Sequence, residues 1–153
     1  MEELAATGDL QTLHGTSFRQ FPNFFTPGPS QASATANYAF TLDTLTSHQA
    51  FIISQAVAKA GEGHKPVVEP TQDAVDTWAI QILTNAVKFA GMAGCTPSYF
   101  NQEGATDLVT DPAQQMKAAK NAIWPNGFRD YYDIISEWRA EGSMQGLDVS
   151  VLG

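Results

Sequence analysis

Apolar residues recur at three- and four-residue steps along most of this chain and alternate with polar ones at its end. Leu42, Leu45, Gln49, Ile52, Ile53, Ala56, Val57 and Ala60 form the longest series, the signature of an amphipathic helix with one buried face. Gly61 and Gly63 end it. Glu69-Pro70-Thr71-Gln72-Asp73 opens a second helix, with Thr71 suited to the N-cap and Asp73 and Asp76 near the positive end of the helix dipole. Its stripe is Val75, Trp78, Ala79, Ile82, Leu83, Ala86 and Ala90, closed by Gly91 and Gly94, and Trp78 reads as the anchor between the two long helices. Asp111-Pro112 starts a third, short helix, because Asp caps well and Pro is tolerated in the first turn. Trp124-Pro125-Asn126-Gly127 is a turn, and a last helix from about Phe128 to Ala140 buries Phe128, Tyr131, Ile135 and Trp138 before stopping at Gly142.

Strand signals are fewer. Phe21-Pro22-Asn23-Phe24-Phe25-Thr26 is too brief for a helix and rich in strand formers, so it is expected as a buried strand. It runs into Pro27-Gly28-Pro29, where Gly28 offers backbone angles closed to other residues. Leu147-Asp148-Val149-Ser150-Val151-Leu152 alternates like a strand. Isolated strands cannot satisfy their backbone hydrogen bonds, so their partners are looked for outside this chain. The expected class is α+β, mainly helical, with about four helices and a few short strands. Residues 1–20 read as a leader or loop and 21–153 as a single domain.

A chain of 153 residues buries roughly 68–70% of its unfolded surface, enough for one core. Its charged fraction of 16% is below the average of about 25%, which predicts a thinly charged surface. The net charge of −8, with basic residues scattered singly, argues against nucleic acid and against an anionic membrane surface. No apolar run approaches the roughly 20 residues of a membrane span. A soluble, intracellular and cytoplasmic protein is expected, and the single cysteine, Cys95, fits a reducing compartment.

Standard catalytic sets are missing. No Gly-x-Gly-x-x-Gly, no Gly-Lys-Ser/Thr phosphate loop and no Gly-x-Ser-x-Gly elbow occurs. His14, His48 and His64 are not spaced as ligands on one helix face, so no metal site is expected. Cys95 could act as a nucleophile near His64 or His48, but an incidental thiol is the simpler reading. Asp73 with Asp76, and Asp130 with Asp133, read as solvated helix faces. The Pro27 to Tyr38 loop is different: a turn, then small residues, then a helix start, offering backbone N–H groups to a polarised ligand.

Three motifs in order carry a resemblance. Thr12-Leu13-His14-Gly15, Phe21-Pro22-Asn23-Phe24-Phe25, Gly28-Pro29 and Asn37 leading into a long helix form the first. The second is Cys95-Thr96-Pro97-Ser98-Tyr99-Phe100-Asn101-Gln102-Glu103-Gly104, and the third runs from Trp124-Pro125-Asn126-Gly127-Phe128-Arg129-Asp130-Tyr131-Tyr132 through Gly142 to Val151-Leu152. Together they resemble the C-terminal part of the flavin-dependent Baeyer–Villiger monooxygenases, above all the fungal members of secondary metabolism. The resemblance implies FAD and NADP(H) as cofactors, insertion of one oxygen atom of O₂ next to a ketone or hydroxylation of a related substrate, and a small hydrophobic ketone or polyketide- or terpenoid-like metabolite as the substrate. It places Gly28, Pro29, Asn37 and Tyr38 by the flavin and Ser98 and Tyr99 by NADP. Gln20 stands where the family usually has Gly before Phe21, and Pro27 is a second departure. The family's Gly-rich dinucleotide turns and its peroxide-stabilising arginine lie upstream and have no counterpart here, so the chain holds at most one wall of the site and is expected to be an inactive fragment by itself.

A second reading is a cofactor-free protein derived from such an enzyme, binding or cyclising a metabolite, or serving as partner subunit to a full-length homologue or the missing N-terminal part. Its pocket would lie between the two long helices and the Tyr99-Phe100 segment, with His48, Tyr38 or Asp43 as polar groups.

Overall fold

The computed structural model describes residues 11–86, 88, 96 and 108–152. The elements in chain order are β1 (Thr12–Leu13), β2 (Ser17–Phe18), α1 (Tyr38–Ala60), β3 (Lys65–Pro70), α2 (Gln72–Asn85), α3 (Pro112–Lys120), α4 (Phe128–Glu141) and β4 (Leu147–Leu152). Among the described residues four helices and a few short strands are thus present, as the periodicity predicts.

The helix ends follow local chemistry. Asn37 caps α1 by accepting from the Phe40 N–H, Thr71 caps α2 through the Ala74 N–H, and Asp111 caps α3 through the Ala113 N–H with Pro112 in the first turn. Gly142, at φ 67°, ends α4 in the left-handed conformation that a residue with a Cβ resists.

The strands depart from expectation. Leu147–Leu152 does find a partner in this chain: it pairs antiparallel with Lys65–Pro70, from Lys65 opposite Leu152 to Pro70 opposite Leu147. Two prolines in six residues conceal β3 in the sequence, since proline normally demotes a strand. Pro66 and Pro70 share the parity of Val68, whose N–H points away from β4 and donates to Asn23 Oδ1 at 2.9 Å. The two prolines thus have no donor on that outer edge, and Asn23 closes the rest by donating its own N–H to the Val68 carbonyl and its side-chain amide to the Pro66 carbonyl. Residues 21–26, expected as a buried strand, make only a one-residue bridge, Phe25 to Ser17, and Phe24 is exposed. Phe25 meets β2 at Ser17 alone, and Asn23 bonds Val68 partly through its side chain, so no ladder extends along the segment.

Residues 11–20, expected as leader or loop, instead form a buried hairpin. Thr12 pairs with Phe18 and Leu13 with Ser17 around His14-Gly15-Thr16. His14 and Gly15 have φ of 55° and 69°, and the Thr16 N–H donates to the Leu13 carbonyl at 3.2 Å, the positive-φ turn that suits hairpin twist. Gln20 also has a positive φ, 67°. This explains why glycine is usual there in the resembling family, and the Gln20 N–H is compensated by the Glu69 carboxylate at 2.7 Å.

Two apolar clusters make up the core. One gathers Leu13, Ile52, Ala56, Val68, Trp138, Met144 and Leu147, under the β3–β4 ribbon; the other gathers Ala32, Leu45, Trp78, Ile82, Trp124, Tyr131 and Ile135. The buried face of α1 is Thr41, Thr44, Leu45, His48, Ile52 and Ala56, while Ile53 and Val57 from the expected stripe are about half exposed. Trp78 does not sit chiefly between the long helices. It stacks on Trp124, ring centroids 4.4 Å apart, and donates to the Gln31 carbonyl at 2.8 Å.

The positions that need glycine also differ from expectation. A Cβ on Gly15 would lie 2.4 Å from the Ala32 nitrogen, whereas one on Gly28 would meet only Thr26 Oγ1 at 3.9 Å, and Gly28 lacks a positive φ. Gly15→Ala is therefore expected to destabilise the protein by about 3 kcal/mol or more, and Gly28→Ala by less than about 1 kcal/mol. Urea unfolding of the two variants measures this; equal midpoints would refute the close packing of the hairpin turn on residues 31–32.

Candidate functional site

The loop singled out in the sequence is held from behind. Gln31 is fully buried with φ 56°. Its backbone N–H donates to the Ala122 carbonyl at 3.0 Å and its side-chain amide to the Lys120 carbonyl at 2.9 Å, while its side-chain oxygen accepts from the Thr12 hydroxyl. Ala32 accepts from the Trp124 N–H at 2.6 Å. The loop's root is thus fastened to the hairpin, α2 and the α3–α4 connection, and its outer part emerges toward α1.

On that outer part Gly28 and Pro29 are half-buried and Asn37 and Tyr38 exposed. The Asn37 side chain is engaged in capping α1. The first N–H groups of a helix have no acceptor within its own turns; Asn37 takes those of Phe40 and Thr41, which leaves those of Tyr38 and Ala39 as donors beside an open face. Phe40, 45% exposed, stacks on Tyr132 and tilts against Phe128, extending this face with aromatic rings. Ser98 and Tyr99 lie outside the described residues, as do Cys95 and the Tyr99-Phe100 side of the alternative pocket.

The polar groups of that alternative pocket do not converge. Tyr38 and Asp43 are exposed near the start of α1, and His48 is fully buried further along it. His48 meets His14 instead, Nε2 to Nδ1 at 3.1 Å, though the two lie 34 residues apart. The pair is not legible in the sequence because each histidine stands alone in its own element.

The pair sits at the seam of the two clusters. The His14 ring meets Trp78 edge-on at 5.0 Å and Trp138 at 5.4 Å, and His48 meets Trp138 at 5.1 Å. The Tyr131 hydroxyl donates to the His14 carbonyl at 2.7 Å. Among the described residues no carboxylate bonds either ring, and burial disfavours the imidazolium and lowers the pKa of His14 from 6.5 to about 3. For His48 burial, reinforced by His14 and the positive Arg139, lowers it to about 2. Burial also pushes the Tyr131 phenol well above its ordinary range. Both histidines are structural neutral rings at ordinary pH and carry no acid–base chemistry for the loop. His64 is exposed on the α1–β3 turn.

Among the described residues no group of three or more His, Cys, Asp or Glu side chains could hold a metal ion, and no helix is long and apolar enough to cross a membrane.

Comparison with known proteins gives the context of this loop. No family model matches. The chain is 40% identical over 147 residues to the chermesin D/asnovolin J monooxidase of Aspergillus novofumigatus, which covers 92% of this chain and 22% of that protein. It is 40% identical over 151 residues to an FAD-binding monooxygenase of Penicillium brasilianum, covering 98% of this chain and 23% of that one. The solved structure of the polycyclic ketone monooxygenase of Thermothelomyces thermophila superposes with a TM-score of 0.85 at 36% identity, over 97% of this chain and 22% of that one. The fold, by itself, is also that of part of cyclohexanone monooxygenase from Rhodococcus sp. Phi1 bound to NADP⁺, with a TM-score of 0.64 at 17% identity. The chain spans about a fifth of the length of the curated relatives it matches.

The pKa shifts set a sign for acid stability. Folded-state values depressed below 6.5 mean that the pair's contribution is complete above pH 6.5 and is lost as pH falls toward 3, because the unfolded chain takes up protons the folded chain refuses. The expected loss is about 2 kcal/mol per ring between pH 7 and pH 5. Urea titrations at the two pH values measure it, and the double variant His14→Gln/His48→Gln should remove most of the difference. An unchanged pH dependence in that variant would show that other groups set the acid sensitivity.

Proposed function

From the premise that this chain belongs, as the counterpart of their C-terminal part, with the fungal FAD-binding monooxygenases of Baeyer–Villiger type, we propose that it supplies one wall of the site in which such an enzyme oxygenates a hydrophobic polycyclic ketone. The observation that carries this reading is coverage: relatives named as FAD-binding monooxygenases account for 90% or more of this chain, and the chain for about a fifth of them.

The residues fit one edge of a flavin. Gly28, Pro29, Asn37 and Tyr38 are the groups that would face it, with Ser98 and Tyr99 on the nicotinamide side. The uncommitted N–H groups at the start of α1 suit the negative charge that a reduced flavin carries on its ring edge, and Gln31 would keep that helix start in place. The flavin, when bound, supplies the activation of O₂, with NADPH as the source of electrons. Phe40, Phe128 and Tyr132 offer an aromatic surface on which a polycyclic body could lie. Gly-rich dinucleotide turns are absent from this sequence, so the chain alone holds too few groups for either cofactor.

Purified with excess FAD, the chain is expected to stay colourless after desalting and to leave NADPH unoxidised. Co-expression with the complementary part of the polycyclic ketone monooxygenase, about four fifths of that protein, is expected to restore ketone-dependent NADPH consumption. A stoichiometrically yellow chain that oxidises NADPH unaided would overturn the one-wall reading; complementation that fails although both parts fold would refute the assignment to this enzyme class.

A further inference from the structure

A cavity of about 470 Å³ opens on the side of the histidine pair away from α1, between the β1–β2 turn, α2, α4 and the turn before β4. This is within the range of roughly 300–1,000 Å³ usual for small-molecule sites. His14, Trp78, Trp138 and Ile134 line it, with Thr77 and Gln81 on its rim. Both indole N–H groups are already committed, Trp78 to the Gln31 carbonyl and Trp138 to the Gln145 carbonyl, so the indoles contribute only apolar surface. No lysine or arginine lines the cavity and Asp73 does, which disfavours an anion.

Burial decides how the pair holds its protons. One N–H joins the two rings, and His48 Nδ1 is buried without a partner. If His14 Nδ1 were the donor, neutral His48 would carry its proton on Nδ1, an orphaned buried N–H. If His48 Nε2 is the donor, only a lone pair is left over, which is the less costly defect. In that arrangement neutral His14 carries its proton on Nε2, and among the described residues no hydrogen bond uses it.

We propose that this cavity is a second, small-molecule site, in which the His14 Nε2–H donates to the carbonyl of a neutral ring compound lying between Trp78 and Trp138. The site is independent of the flavin reading: it is built from the hairpin turn, α2 and α4, and includes none of residues 28–38.

The test uses the full 153-residue chain and two bicyclic probes, 2-decalone and the carbonyl-free decalin, followed through the indole N–H resonance of Trp138. Saturable binding of 2-decalone is expected, weakened about tenfold or more by His14→Phe and largely restored by His14→Gln, which keeps an N–H near the Nε2 position. Thr77→Phe, on the exposed rim, should block the probe without touching the core. No saturable shift, equal affinity for decalin, or unchanged affinity in Thr77→Phe would overturn the site. Should His14→Phe fail to fold, imidazole ¹⁵N shifts decide the donor: a proton on His14 Nε2 that responds to 2-decalone supports the proposal, and a proton on Nδ1 refutes it.

Discussion

The hairpin, α1, α2 and α4 meet at two uncharged imidazoles. His14 comes from a tight hairpin turn and His48 from the middle of a 23-residue helix, and their 3.1 Å contact joins elements that share no local sequence. The contact lies where the two apolar clusters touch, with Trp78 of one and Trp138 of the other closing over the rings. A charged ring there would face Arg139 and, among the described residues, no carboxylate, so the arrangement favours neutrality. The hairpin can dock only because the rings forgo their charge, and the Tyr131 hydroxyl on the His14 carbonyl fixes the turn in the one orientation that permits it.

The loop 28–38 depends on that docking. Gly15 approaches the Ala32 backbone so closely that no side chain could intervene, and the Thr12 hydroxyl reaches Gln31 from the same hairpin. Gln31 passes the constraint on to Trp78 and to the residues before Trp124. A loop rooted this rigidly can offer an exposed helix start and aromatic face without collapsing onto its own core, which is what one wall of a larger site requires.

Much of the fold was legible locally. The caps at Thr71 and Asp111 and the stop at Gly142 sit where their chemistry placed them, because a cap satisfies groups within one turn of itself. The alternation of Leu147–Leu152 was equally clear. Its partner was hidden because Pro66 and Pro70 look like strand breakers until the edge they occupy is known. The stripe of α1 was half misread: Ile53 and Val57 look like core by type, yet Thr41, Thr44 and His48 take the buried positions. Hydrophobicity alone did not reveal which face is buried, since Thr41 is taken up by the Thr35 N–H and His48 by His14, bonds that residue type does not announce.

The candidate site divides the same way. Its loop could be found from a Gly-Pro turn followed by small residues and a helix start, all features of consecutive residues. By itself the sequence determined the helices, their caps and the lack of dinucleotide-binding turns, because each is encoded within a few neighbouring positions. Tertiary structure alone decided that His14 would lie against His48, that Gln31 rather than Gly28 would need an unusual backbone, and that a cavity would open beside Trp78 and Trp138. Those outcomes depend on pairs tens of residues apart, where burial and hydrogen-bond satisfaction, summed over the whole core, choose one partner among many.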